Sequence, residues 1–410
     1  MTQIDDPDVV LVGGGLAGAA TALALAAAGL RVVALDAAPR PAAGDAPFDG
    51  RAYSVALASQ RFWTAVGVWP RVAAEAEAMT EVLVTDGRKG EAPSPFFLHF
   101  DHRESEGGVF GWMVEDRALR PAVVAAMEES PLIDLRFGAR VATTRRDGAE
   151  AVAALTDGTE IAAPLIVACD GRESPLRAAA GIRRVTRDYR QSGMVSAVAH
   201  EIPHGGVAHE LFLPAGPFAI LPLRGTRASL VWTERTAEAA RIHALGDADY
   251  LKELEARFGD FLGALTLEGE RWTYPLSLSL AHEYIAERLA LTGDAAHAIH
   301  PIAGQGLNLG VRDAAALAEV LAEAMSRGED IGAAAVLARY QQWRRFDSMA
   351  LAAATDGLNR LFSTDVAPVR AIRDLGLAAV NRMPGAKRFF MAAAAGLSGD
   401  TPKLMRGEGL

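Results

Sequence analysis

A single cysteine, Cys169, stands among 410 residues. One thiol can form neither an internal disulfide nor a thiolate metal cluster, and such sparing use fits a reducing cytoplasm. Long hydrophobic runs are missing too, and no stretch approaches the roughly 20 apolar residues needed to span a bilayer. The first eight residues are acidic and lack the basic and apolar regions of a signal peptide. Positive charge is in deficit, with 41 Lys and Arg against 51 Asp and Glu and a formal net charge of −10. That balance argues against a nucleic-acid binder, which carries a basic footprint. There is no G-x-S-x-G nucleophile elbow, no P-loop lysine and no internal repeat. What is plentiful is apolar residue, 50% of the chain, enough for a large core in two domains.

The apolar residues fall into buried-strand runs punctuated by glycine. Val9–Val12 suits a buried parallel strand. Residues 16–28, small, alanine-rich and free of proline, predict a tightly packed helix with Gly29 at its C-terminus. Residues 31–36 predict a second strand ending in an acid, and 37–50 a loop. Helices are expected over 54–69 and 116–129, and a meander over 134–168 that ends on the buried strand Leu165–Ala168. Alternation at 193–198, 218–221 and 228–232 predicts a second, largely antiparallel sheet within 183–280. Residues 289–292 return to buried-strand character, and the chain is mostly helical from 306 onward. The expected fold class is therefore α/β: a discontinuous Rossmann-like domain over 1–182 and 281–330, an inserted β-sheet domain over 183–280, and a helical region over 331–410.

Gly13, Gly15 and Gly18 match G-x-G-x-x-G between the first strand and its helix. Gly13 permits the tight turn, Gly15 lets the backbone approach a pyrophosphate, and Gly18 lets helix and strand pack closely. The helix N-terminus offers free N–H groups to phosphates, and Asp36 stands where a carboxylate accepts ribose hydroxyls. This is dinucleotide chemistry, without a choice between NAD and FAD. Asp170 and Gly171 at the end of a later strand read equally as a cofactor contact or as an Asp-Gly turn with Ser174 as N-cap. The stretch 293–310 is richer. Asp294 suits a sugar hydroxyl, Gly304 and Gly306 let a flat ring approach the backbone, and the helix that follows points positive dipole at the site. A reduced flavin carries negative charge near N1, so this placement would stabilise it.

Together these segments resemble the flavin-dependent aromatic hydroxylases of the p-hydroxybenzoate hydroxylase group, and more closely the hydroxylases of ubiquinone biosynthesis. The closer resemblance rests on residues 49–54 (Asp-Gly-Arg-Ala-Tyr-Ser), 208–217 with Leu221-Pro-Leu223, and 293–310, within a match running from about residue 8 to 397. It implies an FAD-binding domain around a substrate domain at 183–280. It assigns FAD contacts to Gly13, Gly15, Gly18, Asp36, Arg51, Arg117, Asp170, Gly171, Gly293, Asp294, Pro301, Gly304, Gly306, Leu307 and Asn308, with Pro301, Gly304, Gln305 and Gly306 beside the flavin ring. It implies that NAD(P)H reduces FAD, that O2 is trapped as a C4a-hydroperoxyflavin, and that a polyprenylated phenol receives the hydroxyl. No side-chain catalyst is required for oxygen transfer, because the cofactor carries the chemistry. Cys169 departs from the usual alanine of the family and is oxidisable if exposed.

Other readings stay open at this level. A hydroxylase of small soluble aromatics, a prenyl-lipid reductase and a non-catalytic flavoprotein scaffold share the cofactor motifs. His297 and His300, spaced i, i+3 near Asp294, are better explained by the flavin than by a metal, and no metal is expected. Pro203 and the glycines at 205–206 break any helix that would align His200, His204 and His209. Residues 312–397 mix Leu, Met and Phe with Arg and Lys, which suits core packing, or docking to a membrane or a partner protein. The expected location is cytoplasmic, with peripheral contact to the inner membrane as the alternative. No motif specifies an oligomeric state.

Overall fold

A computed structural model describes residues 3–41, 47–90, 94, 96–104, 108–300, 302–363 and 367–410. Val9–Val12 is wholly buried and takes parallel partners on both sides, Val32–Asp36 and Leu165–Ala168. Parallel strands covered on both faces need continuous apolar runs, and all three have them. Ile133–Phe137 and Leu289–Leu291 extend the sheet in parallel, and Ile285–Ala286 closes one edge antiparallel, for six strands. The helix Leu16–Ala27 ends before Gly29, whose φ of +86° turns the chain. The meander forms as Val141–Asp147, Glu150–Leu155 and Glu160–Ala163. Far along the chain, Gln305–Ser326 returns to pack on Leu16–Ala27. Gly310 and Gly293 permit that approach, since a Cβ on them would lie 3.2 and 2.8 Å from the Ala17 Cβ.

The second sheet has eight strands, in the order His297–Ala298, Leu265–Ala281, Arg184–His200, Arg227–Arg235, Gly216–Leu223, Val207–Leu213, Glu81–Asp86, Phe97–Asp101. Its pairings are antiparallel except that of Val207–Leu213 with Glu81–Asp86. The last two strands come from the first part of the chain. One face carries Phe218, Leu230 and Trp232 against Tyr250, Leu254 and Phe258 of the helix Asp247–Phe258. The other face looks into a cavity shared with the first layer.

The expected helix over 54–69 is shorter than its pattern. Ala52–Ala56 is a strand paired with Gly111–Glu115, and the helix occupies Leu57–Ala65. Gly111 makes the pairing possible, because a Cβ there would sit 2.4 Å from the Val55 carbonyl oxygen. Asp116–Glu129 is helical as expected. The C-terminal region consists of Ala334–Phe362, Ala367–Asn381, Pro384–Ala394 and Lys403–Arg406. Among the described residues, no helix is long and apolar enough to cross a membrane.

Candidate active site

The three motif glycines answer to different constraints. Gly13, at φ +109°, would place a Cβ 2.2 Å from the Cys169 carbonyl oxygen, and Gly18 would place one 1.8 Å from the Gly13 carbonyl oxygen. Both are demanded by the fold. Gly15 has ordinary extended backbone (φ −63°, ψ 175°), and a Cβ on it meets nothing within 4 Å. Protein packing does not account for Gly15, whereas close approach of a phosphate does. Gly15 is also the N-cap of Leu16–Ala27, whose first turn holds no acid and receives no side-chain cap, so its N–H groups remain for an anion. Asp36 accepts a hydrogen bond from Ala38 N at 2.9 Å and lines a small pocket with Pro39, Arg120 and Phe137. Arg120 is held by Asp116 at 3.0 Å. A carboxylate beside a partly apolar cleft suits an adenosine. Arg117, one turn earlier, pairs with Glu115 at 2.6 Å and lies over the Phe48 ring.

Asp170 forms the Asp-Gly turn with Ser174 as N-cap. Oδ2 accepts from Leu176 N at 3.1 Å, and Ser174 caps the short helix through Arg177 N. Yet Oδ1 is buried with no hydrogen-bond partner among the described residues, which is costly unless a ligand supplies one. Gly171 turns at φ +87°. The neighbouring Cys169 thiol lies 2.8 Å from the Thr292 hydroxyl, and burial pushes it up to about 12. It stays a protonated thiol at neutral pH, an environment that disfavours oxidation.

The Gly293–Asp294 turn is locked from behind. Gly293 N donates to Asp313 at 3.0 Å, and the same carboxylate bonds His297 at 2.5 Å and the Arg344 guanidinium at 2.8 Å. Burial pushes the Asp313 carboxyl upward, but His297 and Arg344 more than offset this and hold it below its usual range. Asp294 is thereby presented, exposed, to the large cavity. Gly304, at φ +62°, caps the helix Gln305–Ser326 and packs so tightly on Ser54 that a Cβ would lie 2.8 Å from the Ser54 Cβ. Asn308 accepts from Ala56 N at 2.9 Å and donates to the carbonyls of Ser54 and Gly304. Its side chain therefore binds the strand Ala52–Ala56 to the helix start. Gly306 has open space where a Cβ would be. Pro301 lies outside the described residues. His297 is committed to Asp313, while His300 packs edge-on to Tyr189 and is pushed down to about 4 by burial.

These elements enclose one side of a cavity of about 930 Å³. Arg51, Asp294, Gly304, Gln305, Gly306 and Leu307 line that side. Arg51 is steadied by Asp49 at 2.6 Å and Asp116 at 3.3 Å, with its guanidinium over Trp272. The opposite wall is the free face of the eight-stranded sheet, and the far end is covered where Phe362 stacks on Phe212 at 3.8 Å. Two residues absent from the expected set belong to the site, Arg120 in the small pocket at Asp36 and Glu210 on this cavity's wall. Arg120 shares a helix with Arg117, and its only sequence signal is the one-turn spacing. Glu210 is a lone charge on an otherwise apolar wall, visible in the sequence only as an acid inside an alternating strand.

A small pocket at Asp36, an uncapped helix start at Gly15, an orphaned Asp170 oxygen and an open turn at 304–307 fit an extended dinucleotide with a flat, reactive end. The class defined by this fold and site is a flavoprotein monooxygenase. The FAD binding domain family model matches residues 6–355. Ubiquinone hydroxylase UbiL of Rhodospirillum rubrum is 46% identical over 403 residues, covering 98% of this chain and 92% of that protein. The 3-demethoxyubiquinol 3-hydroxylase of Escherichia coli is 36% identical over 394 residues, covering 95% and 98%. The p-nitrophenol 4-monooxygenase PnpA of Pseudomonas putida DLL-E4 shares the fold at a TM-score of 0.78 and 20% identity, over 96% and 98% of the two chains. The chain belongs to the FAD-binding monooxygenase family that includes the ubiquinone-biosynthesis hydroxylases, and its cofactor is FAD.

Proposed function

We propose that this protein hydroxylates the aromatic ring of a polyprenylated phenol in ubiquinone biosynthesis, with NAD(P)H as reductant and O2 as oxygen source. One observation carries the reading: beyond the 304–307 turn that seats the flavin, the cavity runs on past the place of a phenol ring along apolar side chains as far as Leu358, Leu361, Phe362 and Phe390. Its full volume of about 930 Å³, at the upper end of the roughly 300–1,000 Å³ of ligand sites, has room for the flavin ring, a phenol and part of a tail together. The ring end suits a phenol and the remainder an apolar tail. The names of the relatives support the same substrate class.

Bound FAD supplies the redox chemistry and the activation of oxygen. The protein's residues do the rest. Gly15 and the helix start behind it receive the pyrophosphate, and Asp36 and Asp294 accept sugar or ribityl hydroxyls. Arg51 adds positive charge at the cavity edge, and the 304–307 turn seats the ring. The apolar sheet face excludes water from the reacting atoms.

The tail end of the cavity supports peripheral membrane contact. Leu358, Leu361 and Phe390 line the cavity and are also exposed. Phe389 packs edge-on to Phe390, and Met383, Arg382 and Arg388 are exposed close by in sequence, while Phe346, 76% exposed, lies earlier on the helix that carries Leu358. An apolar surface rimmed by arginines, at the mouth of an apolar cavity, suits a bilayer from which a prenylated substrate enters.

The test is anaerobic reduction of the bound flavin by NADH or NADPH, followed by labelled O2 and a prenylated phenol. The expected product carries one labelled oxygen on the ring. Oxygen derived from water, or flavin that stays oxidised with substrate present, overturns the reading. Equal turnover of unprenylated phenols overturns the assignment of the tail.

A further inference from the structure

One charged side chain interrupts the apolar wall opposite the 304–307 turn. Glu210 lies within Val207–Leu213, paired across to Val84 on one side and Ala219 on the other. Strand alternation places Ala208, Glu210 and Phe212 on the same face, and Val82, Val84, Ala219 and Val231 line the cavity around them. The Glu210 carboxyl has no hydrogen bond or ion pair among the described residues, and burial alone pushes it up to about 7. An unpartnered carboxyl destabilises an apolar wall. It is also the kind of group that general-base catalysis uses, being near half-ionised at neutral pH.

We propose that Glu210 is the general base that takes the proton of the substrate's phenol, an inference that rests on the phenol hydroxylation proposed above. In this step the phenolic O–H bond breaks, a bond forms between the proton and a Glu210 carboxylate oxygen, and the electron pair stays on the phenolate oxygen. That charge spreads to the ortho and para ring carbons and makes them nucleophilic toward the oxygen being transferred. O2 supplies that oxygen, its other atom leaves as water, and NAD(P)H supplies the two electrons. The hydroxylated ring carbon then loses its hydrogen to solvent as a proton, and Glu210 returns its own proton to the phenol oxygen. The apolar wall serves the same end, because a carboxylate surrounded by water would be too weak a base to compete for a phenol proton.

The other ionisable groups lining the cavity are Arg51, Tyr53, Arg172, His209, Tyr274, Asp294, His297 and Arg373, of which Tyr53 donates to Asp116 and is pushed up to about 12, chiefly by burial. Arg51 is paired with Asp49, His297 with Asp313 and Arg373 with Asp86, and Arg172 bonds the Ser277 hydroxyl. Burial raises Tyr274. On the same strand as Glu210, His209 packs on Phe261 and is pushed down to about 4 by burial, and on the neighbouring strand Glu81 bonds His99. Glu210 is therefore the group expected to set a titration near 7 on this wall.

The experiment compares the FAD-loaded wild-type protein with Glu210→Gln, which keeps the shape of the side chain. In turnover, the variant should retain flavin reduction but lose about 100-fold or more in kcat for hydroxylation, with little change in KM. The rising limb of the wild-type pH profile near 7 should move toward the free phenol's own value, about 10. A wild-type kcat or pH limb in Glu210→Gln overturns the assignment. If the wild type hydroxylates no phenol, the proposed function fails instead. Should the variant not retain FAD, the wild type is tested with a phenol and its O-methyl ether. A limb near 7 confined to the phenol supports Glu210, and one shared by both substrates overturns it.

Discussion

Gly15 separates the needs of the cofactor from the needs of the fold more cleanly than any other residue. Its backbone is ordinary and its missing Cβ faces open space, so Gly15→Val should leave the melting temperature of the FAD-free protein unchanged while abolishing flavin retention. A yellow, fully loaded variant would overturn the phosphate assignment. Gly18→Ala should do the opposite. Its Cβ would collide with the Gly13 carbonyl, and overpacking of this kind costs about 1–3 kcal/mol before any cofactor is considered. Glu210 allows a third prediction, in stability rather than activity. Its folded value of about 7 lies above the ordinary 4.5, so the fold favours the protonated form. That contribution is fully present below the unfolded value and is lost as pH rises through the folded one. Glu210→Gln should therefore match the wild type near pH 4 and exceed it above pH 7 by up to about 3 kcal/mol. Urea unfolding of the substrate-free protein at the two pH values reads this directly, and an equal gap at both would show that the carboxyl is not desolvated.

Between elements, the decisive joint is the one that Asp313 makes. Its carboxylate gathers the Gly293 turn, His297 and Arg344 of the long helix Ala334–Phe362. Arg344 is fully buried, and removing one partner of a buried pair leaves the other charge uncompensated. Arg344→Met should cost about 3–5 kcal/mol, read as a lower urea midpoint, and should weaken FAD binding because the turn bearing Asp294 loses its support. Asp294→Ala should weaken FAD binding while leaving the midpoint of the FAD-free protein in place. None of this joint was legible in the sequence, where Asp313 and Arg344 stand on separate helices and no motif links them. The glycine loop was legible because its constraints are local: strand, turn and helix are contiguous, and each glycine has a fixed job. Asp116–Glu129 was legible for the same reason. The strand Ala52–Ala56 was not, since it owes its form to pairing with Gly111–Glu115, a partner remote in sequence. Glu210 was hidden likewise. Its place in an apolar face comes from Val84 and Ala219 on neighbouring strands.

For the whole molecule, the two layers and the C-terminal helices give the cavity two different ends. One end is built from backbone turns, helix starts and paired charges. The other is bounded by helices whose outer faces carry Phe346, Leu375, Met383 and Phe389. An exposed apolar patch of this kind is a liability for a freely dissolved protein and an asset for one resting on lipid. Its arginines give the contact a charge dependence despite the net charge of −10, because Arg382 and Arg388 sit beside the apolar residues themselves. The FAD-loaded protein should therefore co-sediment with vesicles containing anionic phospholipid, less with neutral ones, and less at high salt. Replacing Phe346 and Phe389 together by Ser should release it from vesicles, since each buried aromatic contributes on the order of 1.5–3 kcal/mol to an apolar contact. Neither residue lines the cavity, so the double variant should keep its flavin and its turnover of a short-chain phenol in detergent, and lose turnover only of long-tailed substrate held in vesicles. Retained vesicle binding would move the contact elsewhere on the surface. Lost turnover in both settings would show instead that the helices are needed to close the cavity.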